Sequence, residues 1–298
     1  MAEPSFIGGD WGTSRLRLFL CSAAGGVLAR KEGPGAAAGG CEKVFAELTA
    51  EWDAKLPGVL CGMVGSTIGW QEVPYLSCPA RLDGLARGAL RLTADGRQVA
   101  ILPGLMCRNP LQNPDVMRGE ETQLAGALML SASLARGRHL ICLPGTHTKW
   151  VMLEEGAVMQ FQTALSGELF DLLVRHSVLA RDGGEARAGD PAFALGLAQA
   201  RDHRKAGLLH LLFGTRSRQL AGEIVKEQAS SYLSGLIIGE DVAGAAALFD
   251  FQGPVTLICT PALAALYGLA LADYGVAVVD GEAAARAGLH SAWRSLFT

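Results

Sequence analysis

The sequence predicts an α/β protein of two tandem, strand-first domains with a cleft between them. Three observations carry that expectation. A short apolar strand runs through a Gly-Thr turn into a basic second strand at Phe6-Ile7-Gly8-Gly9-Asp10-Trp11-Gly12-Thr13-Ser14-Arg15-Leu16-Arg17-Leu18-Phe19. The same order returns at His139-Leu140-Ile141-Cys142-Leu143-Pro144-Gly145-Thr146-His147-Thr148-Lys149-Trp150-Val151. Strand and helix patterns alternate after each copy, and 298 residues suffice for two domains of ordinary size.

In the first half, apolar and polar residues alternate over Ser5–Cys21 as a strand hairpin, and Gly25-Gly26 turns the chain toward Val27–Lys31. Glu42–Lys55 has helical spacing. The apolar run from Val59 to Val64 reads as a buried strand ending in Gly65-Ser66-Thr67-Ile68-Gly69-Trp70, and Gln98–Leu102 is another strand. The turn-rich Arg108–Pro114 then precedes a helix from Gly119 to Leu134.

In the second half, strands Leu140–Leu143, Lys149–Glu154 and Ala157–Gln162 repeat the opening, with a turn at Glu155-Gly156. Helices are expected at Gly167–His176, Pro191–Arg204, Arg218–Gly239 and Glu240–Phe249. Strand Val255–Cys259, helix Pro261–Asp273 and strand Val276–Val279 follow. The expected domains are residues 1–137 and 138–281, with a helix over 282–298 that returns to the first half.

Composition narrows the class. Half of the residues are apolar and 18% are charged, which fits a globular and soluble chain. A net charge of −3 offers no basic field for nucleic acid or anionic lipid, so an anionic ligand needs a local site. Met1-Ala2-Glu3-Pro4 leads straight into a strand, and Glu240 and Asp241 interrupt the longest apolar helix, Tyr232–Phe249. A cytoplasmic protein without a membrane partner is expected. The seven cysteines lack CxxC spacing and read as small buried hydrophobes.

The Gly-Thr turns Gly12-Thr13 and Gly145-Thr146 fall in register, each offering backbone N–H groups and a hydroxyl with little side chain in the way. Two such cradles can grip one polyphosphate from opposite sides. Asp10 stands in the first copy only, so one half is expected to hold the metal.

These segments resemble the sugar kinase, heat-shock protein and actin superfamily of ATPases, in which two ribonuclease-H-like domains close on ATP. Gly9-Asp10-Trp11-Gly12-Thr13 is similar to its first phosphate motif and Leu143-Pro144-Gly145-Thr146-His147 to its second. Further matches run in order along nearly the whole chain: Cys61-Gly62-Met63-Val64-Gly65-Ser66-Thr67-Ile68-Gly69-Trp70, Pro74-Tyr75-Leu76, Leu102-Pro103-Gly104, Val116–Leu124, Pro144–Val151, Ser166-Gly167-Glu168-Leu169 and Ser234–Gly239. Together they resemble the 2-dehydro-3-deoxygalactonokinase family. The resemblance implies transfer of the ATP γ-phosphoryl group to the terminal C6 hydroxyl of 2-dehydro-3-deoxy-D-galactonate, giving 2-dehydro-3-deoxy-6-phosphogalactonate in galactonate catabolism. One segment departs from the superfamily: Cys259-Thr260-Pro261-Ala262 stands where a glycine-rich adenine turn is usual, with Thr260 still suited to a cofactor turn.

Phosphoryl transfer needs positioned donors, a metal and a base. Asp10 can hold Mg²⁺ directly or through water, or simply cap its turn. Gly12, Thr13, Gly145 and Thr146 face the phosphates, with His147 and Lys149 following as phosphate contacts or ordinary edge residues. A hydroxyl attacks poorly unless a carboxylate takes its proton. Glu120 and Glu121, which open a helix, are the candidate bases, or else stabilise the helix N-terminus. Glu121 is preferred because similar Gly-x-Glu-Glu segments in related polyphosphatases place the working acid second, and the choice stays open. Arg118 or Arg15 can fork a substrate carboxylate, with Gly65 and Ser66 offering backbone groups and Trp70 an apolar wall, although Arg15 can face solvent and Trp70 can be core. The alternatives are a phosphatase or polyphosphatase, a nucleotide-dependent sensor of actin type, and a kinase for the gluconate-derived epimer. The helical surface Arg218–Phe249 leaves a homodimer open.

Overall fold

Strands that alternate between two apolar faces build the first half. In the computed structural model, which describes residues 2–181 and 183–298, the chain divides into two units. The first comprises the chain up to Arg138 together with Leu153–Phe161 and Val279–Thr298; the second comprises His139–Met152 and Gln162–Val278.

The first unit opens with β1 (Pro4–Trp11), β2 (Arg15–Ser22) and β3 (Val27–Pro34), followed by α1 (Cys41–Thr49) and β4 (Gly58–Gly62). Two-residue strands β5 (Leu76–Ser77) and β6 (Ala80–Arg81) precede β7 (Leu90–Ala94), β8 (Arg97–Ile101), β9 (Leu105–Arg108), β10 (Pro114–Met117) and α2 (Glu120–Leu130). The main sheet has the order β3-β2-β1-β4-β8-β7, and β10-β9-β5 form a small second sheet. β1 pairs antiparallel with β2 and parallel with β4, which pairs parallel with β8. Because side chains alternate along a strand, Ile7, Leu16, Leu18 and Leu60 pack with Phe45 of α1, while Phe6, Phe19, Val59 and Cys61 pack on the opposite face with Leu289 and Trp293. Those two residues lie on α9 (Gly281–Phe297). α9 also crosses α2 at backbone contact: a Cβ on Gly126 would lie 1.8 Å from the Ala284 carbonyl oxygen, and one on Gly288 would lie 2.0 Å from that of Thr122.

The second half supplies β11 (Arg138–Leu143), β12 (Thr148–Glu154) and β13 (Ala157–Ala164), then α3 (Ser166–His176), α4 (Pro191–Asp202), α5 (Leu208–Leu212), α6 (Gly214–Leu220), α7 (Ala229–Phe249), β14 (Val255–Cys259), α8 (Pro261–Ala270) and β15 (Val276–Asp280). Its sheet order is β15-β14-β11-β12-β13, with β6 pairing on the outer end of β13, and β11 pairs parallel with β14. Both sheets therefore place their first five long strands in the order third, second, first, fourth, fifth, if the hairpin partner β7 is set aside. The molecule is a mixed α/β protein.

Several elements differ from the sequence expectation. α1 stops at Thr49 instead of Lys55, and α2 gives way at Leu130 to a short 3-10 turn over Ala132–Ala135. The helix break expected between Gly239 and Glu240 is absent, because the glycines of α7 serve helix packing. A Cβ on Gly235 would lie 2.1 Å from the Phe193 carbonyl oxygen and one on Gly239 would lie 2.6 Å from Cβ of Ala200, both on α4. By length and composition, the helical span Lys226–Phe249 passes as a membrane span, yet 61% of its apolar window is buried. Leu233, Leu236 and Ile237 pack there within small apolar clusters, which makes this a core helix.

Candidate active site

In the first unit, β1 carries Asp10 to the mouth of the Gly12-Thr13 turn. Its Oδ2 accepts a hydrogen bond from Arg17 Nη2 at 2.8 Å, and its side chain is 14% exposed. Burial pushes the Asp10 carboxyl up from its ordinary value; Arg17 opposes that shift and Glu282 adds to it. A cation at this carboxylate would offset the desolvation. Among the described residues no group of three or more His, Cys, Asp or Glu side chains is placed to hold a metal. One carboxylate completed by phosphates and water is a set that suits Mg²⁺.

The turn itself is firmly built. The Gly12 N–H donates to the Arg15 carbonyl at 2.8 Å, so Gly12 shapes the turn and offers no free donor. Thr13 and Arg15 are exposed. Behind the turn, Ala37 N–H donates to the Thr13 carbonyl at 3.1 Å, and a Cβ on Gly35 would lie 2.2 Å from that oxygen.

The acid pair at the head of α2 is split by burial. Glu121 is fully buried: its Oε2 accepts from Gly119 N–H at 2.6 Å and its Oε1 from the Thr122 hydroxyl at 3.0 Å. Burial, with Glu120 adding to it, pushes the Glu121 carboxyl up to about 8. Glu120 is half-buried and accepts from Arg118 N–H at 3.1 Å. Arg118 lies buried with its guanidinium 4.2 Å from the centre of the Tyr75 ring. Nη2 donates to the Val73 carbonyl at 2.8 Å, whereas Nε and Nη1 have no hydrogen-bond partner among the described residues. Unpaired buried guanidinium donors are costly, and a carboxylate would satisfy them.

Beside Arg118 runs the glycine-rich loop. A Cβ on Gly65 would lie 3.0 Å from Arg118 Nη1. The Ser66 hydroxyl is taken by the Met63 carbonyl at 2.7 Å, and Trp70 is half-buried with its ring centre 5.7 Å from that of Phe45. Trp70 thus packs at the edge of the core.

In the second unit the Gly145-Thr146-His147 turn is exposed, and a Cβ on Gly145 would meet nothing within 4 Å. Glu168 N–H donates to the Thr146 carbonyl at 2.8 Å, and a Cβ on Gly167 would lie 2.1 Å from the Gly145 carbonyl oxygen. His147 Nε2 lies 2.5 Å from Glu168 Oε2. Lys149 is buried and donates to the Thr163 hydroxyl at 2.9 Å. Thr260 is the exposed N-cap of α8, and its side chain makes no capping bond.

The family model for 2-keto-3-deoxy-galactonokinase matches residues 10–292. The chain belongs to this family. It is 40% identical to a probable 2-dehydro-3-deoxygalactonokinase of Rhizobium meliloti over 97% of this chain and 96% of that one. A 2-dehydro-3-deoxygalactonokinase of Escherichia coli is 36% identical, with 96% of each chain covered. The crystal structure of a protein assigned as 2-dehydro-3-deoxygalactonokinase from Sinorhizobium meliloti superposes with a TM-score of 0.89 and 38% identity, covering 98% of this chain and 99% of that one.

Sequence reasoning missed three neighbours of the named residues. Tyr75 lies on Arg118, Glu168 holds His147, and Thr122 bonds Glu121. All three stand in segments that carry the family resemblance, so a signal was present, but a motif names positions without naming the partners that folding gives them.

Proposed function

We propose that this protein transfers the γ-phosphoryl group of ATP to the C6 hydroxyl of 2-dehydro-3-deoxy-D-galactonate. The observation that carries the reading is the family match over residues 10–292. The fold in this reading is two tandem ribonuclease-H-like domains, 1–137 and 138–281, with the helix 282–298 returning to the first. The shared strand order of the two sheets supports it. Use of ATP goes with a cytoplasmic setting.

ATP supplies the phosphoryl group and Mg²⁺ neutralises its developing charge. Asp10 would hold the metal. Thr13, Gly145 and Thr146 would hold phosphate oxygens, with His147 oriented by Glu168 and Lys149 lending positive charge from behind. Thr260, which makes no capping bond at the head of α8, would face the nucleotide. Arg118 binds the substrate carboxylate through Nε and Nη1, the reading that its unpaired donors support. Gly65 leaves room beside it, Ser66 and Trp70 shape the loop, and Arg15 stands at the exposed rim.

Burial reverses the preference that the resemblance implies for the base. Glu121 has no exposed surface, and with its carboxyl near 8 it holds its proton at neutral pH. Glu120 is therefore assigned as the group that takes the proton from the C6 hydroxyl, while Glu121 braces the first turn of α2.

The test is ADP release with and without 2-dehydro-3-deoxygalactonate, with the product examined by phosphorus NMR. Release that depends on the sugar acid, and a phosphorus signal coupled to the two C6 protons, are expected. Phosphate release without acceptor would assign a hydrolase instead.

A further inference from the structure

A buried line of hydrogen bonds runs from α7 to the second hairpin. Asp241, on α7, accepts from Trp150 Nε1 at 2.7 Å and from the Tyr267 hydroxyl at 2.7 Å. The Tyr267 oxygen lies 3.0 Å from the Thr148 hydroxyl and 3.3 Å from the Ser166 hydroxyl, and these two lie 2.7 Å apart. Thr148, Trp150, Ser166 and Tyr267 are all buried.

The Thr148–Ser166 end of this line meets the phosphate turn. Thr148 directly follows His147. Ser166 precedes Gly167, which packs against the Gly145 carbonyl, and Glu168, whose N–H donates to the Thr146 carbonyl. Tyr267 sits on α8, whose head is Thr260. An indole N–H can only donate and an ionised carboxylate can only accept. Asp241 therefore draws in the Tyr267 proton, leaving the tyrosine oxygen to accept from Thr148 or Ser166. The carboxylate thus fixes the direction of the Trp150 and Tyr267 bonds, while either of Thr148 and Ser166 can donate to the other, and such a network is worth more than its separate pairs.

We propose that Asp241 is a positioning residue for nucleotide binding, acting through Tyr267 on Thr148 and Ser166 to fix the Gly145-Thr146-His147 turn. The proposal rests on the kinase reading for its ligand. Asp241→Asn keeps volume, but its amide must offer oxygen to Trp150 and N–H to Tyr267, which reverses the line. Tyr267→Phe removes the link alone.

The experiment is titration calorimetry of ADP with the full chain, alongside steady-state kinetics and melting temperature. Asp241→Asn and Tyr267→Phe are each expected to weaken ADP by about tenfold, with the KM for the sugar acid within about twofold of wild type. The double variant should be no weaker than Asp241→Asn alone, since both act through one line. Should either variant fail to fold, Thr148→Val against Thr148→Ser decides: the serine should keep ADP affinity and the valine should lose it. Wild-type ADP affinity in folded Asp241→Asn and Tyr267→Phe, or a lowered melting temperature as the only change, would overturn the proposal. A wild-type enzyme that binds ADP but releases none with the sugar acid would instead overturn the kinase reading and leave the network testable by binding.

Discussion

The two Gly-Thr turns are built alike and charged differently. In each, the segment after the third strand brings a glycine against the turn carbonyls, Gly35 on Thr13 and Gly167 on Gly145, and donates an N–H to a turn carbonyl. The approach of 2.1 to 2.2 Å leaves no space for a Cβ at either position. Around that shared frame the side chains diverge. The first turn has Asp10 and Arg17 on its flanking strands, with the Glu120-Glu121 pair in the same unit. The second is flanked by Leu143 and Pro144 before and by Thr148 and the buried Lys149 after, with His147 against Glu168. A duplicated backbone device can thus be kept for phosphate while the strand carboxylate beside it, Asp10, stands in one copy only.

The largest effect that can break this contrast is at Asp10. Asp10→Asn is expected to lower kcat by about 10³-fold or more with the fold intact, because the metal loses its carboxylate without a change of volume. Near-normal turnover at saturating Mg²⁺ would remove the charge asymmetry from the mechanism.

Next comes the stability of the acid pair. The Glu121 carboxyl is raised from 4.5 to about 8, so the native state holds its proton more tightly than the unfolded state. Stability should fall as pH rises from about 4.5 to about 8 and then level off, a loss on the order of 5 kcal/mol. Glu121→Gln lacks this titration and should be more stable than wild type at pH 8 in denaturant melts. Parallel pH profiles for the two proteins would refute the buried, protonated assignment.

Glu120→Gln should lower kcat by about 10²-fold with the KM for ATP little changed, whereas Glu121→Gln should be milder at neutral pH. The reverse order would return the base to Glu121. Smaller again, Arg118→Lys should raise the KM for the sugar acid by about tenfold and leave that for ATP unaltered, since a point charge cannot fork a carboxylate. An unchanged KM for the sugar acid would move its carboxylate elsewhere.

What was legible follows from where the signal is local. The meanders β1–β3 and β11–β13 announce themselves because period-two alternation and glycine turns lie within a few neighbouring residues. The Gly-Thr pairs were visible for the same reason. The short strands β5 and β6, two residues each, carry too little pattern to read. Gly239 looked like a helix end, and only the proximity of α4 shows why a helix interior needs it. Burial was hidden too: adjacent glutamates are alike in sequence, and the difference between Glu120 and Glu121 comes from Gly119, Thr122 and the close crossing of α9 at Thr122. The Asp241 line joins residues from β12, α3, α7 and α8, and no motif spans that separation.

The division of labour between the turns is tested most directly by ADP titration of Asp10→Asn and Gly167→Ala side by side in Mg²⁺-free buffer, after both are shown to be folded. Gly167→Ala forces the second turn off its seat and should lose about tenfold or more in ADP affinity, while Asp10→Asn should bind ADP at least as well as wild type. Equal losses in the two variants, or wild-type binding by Gly167→Ala, would contradict a binding turn in one half and a catalytic turn in the other.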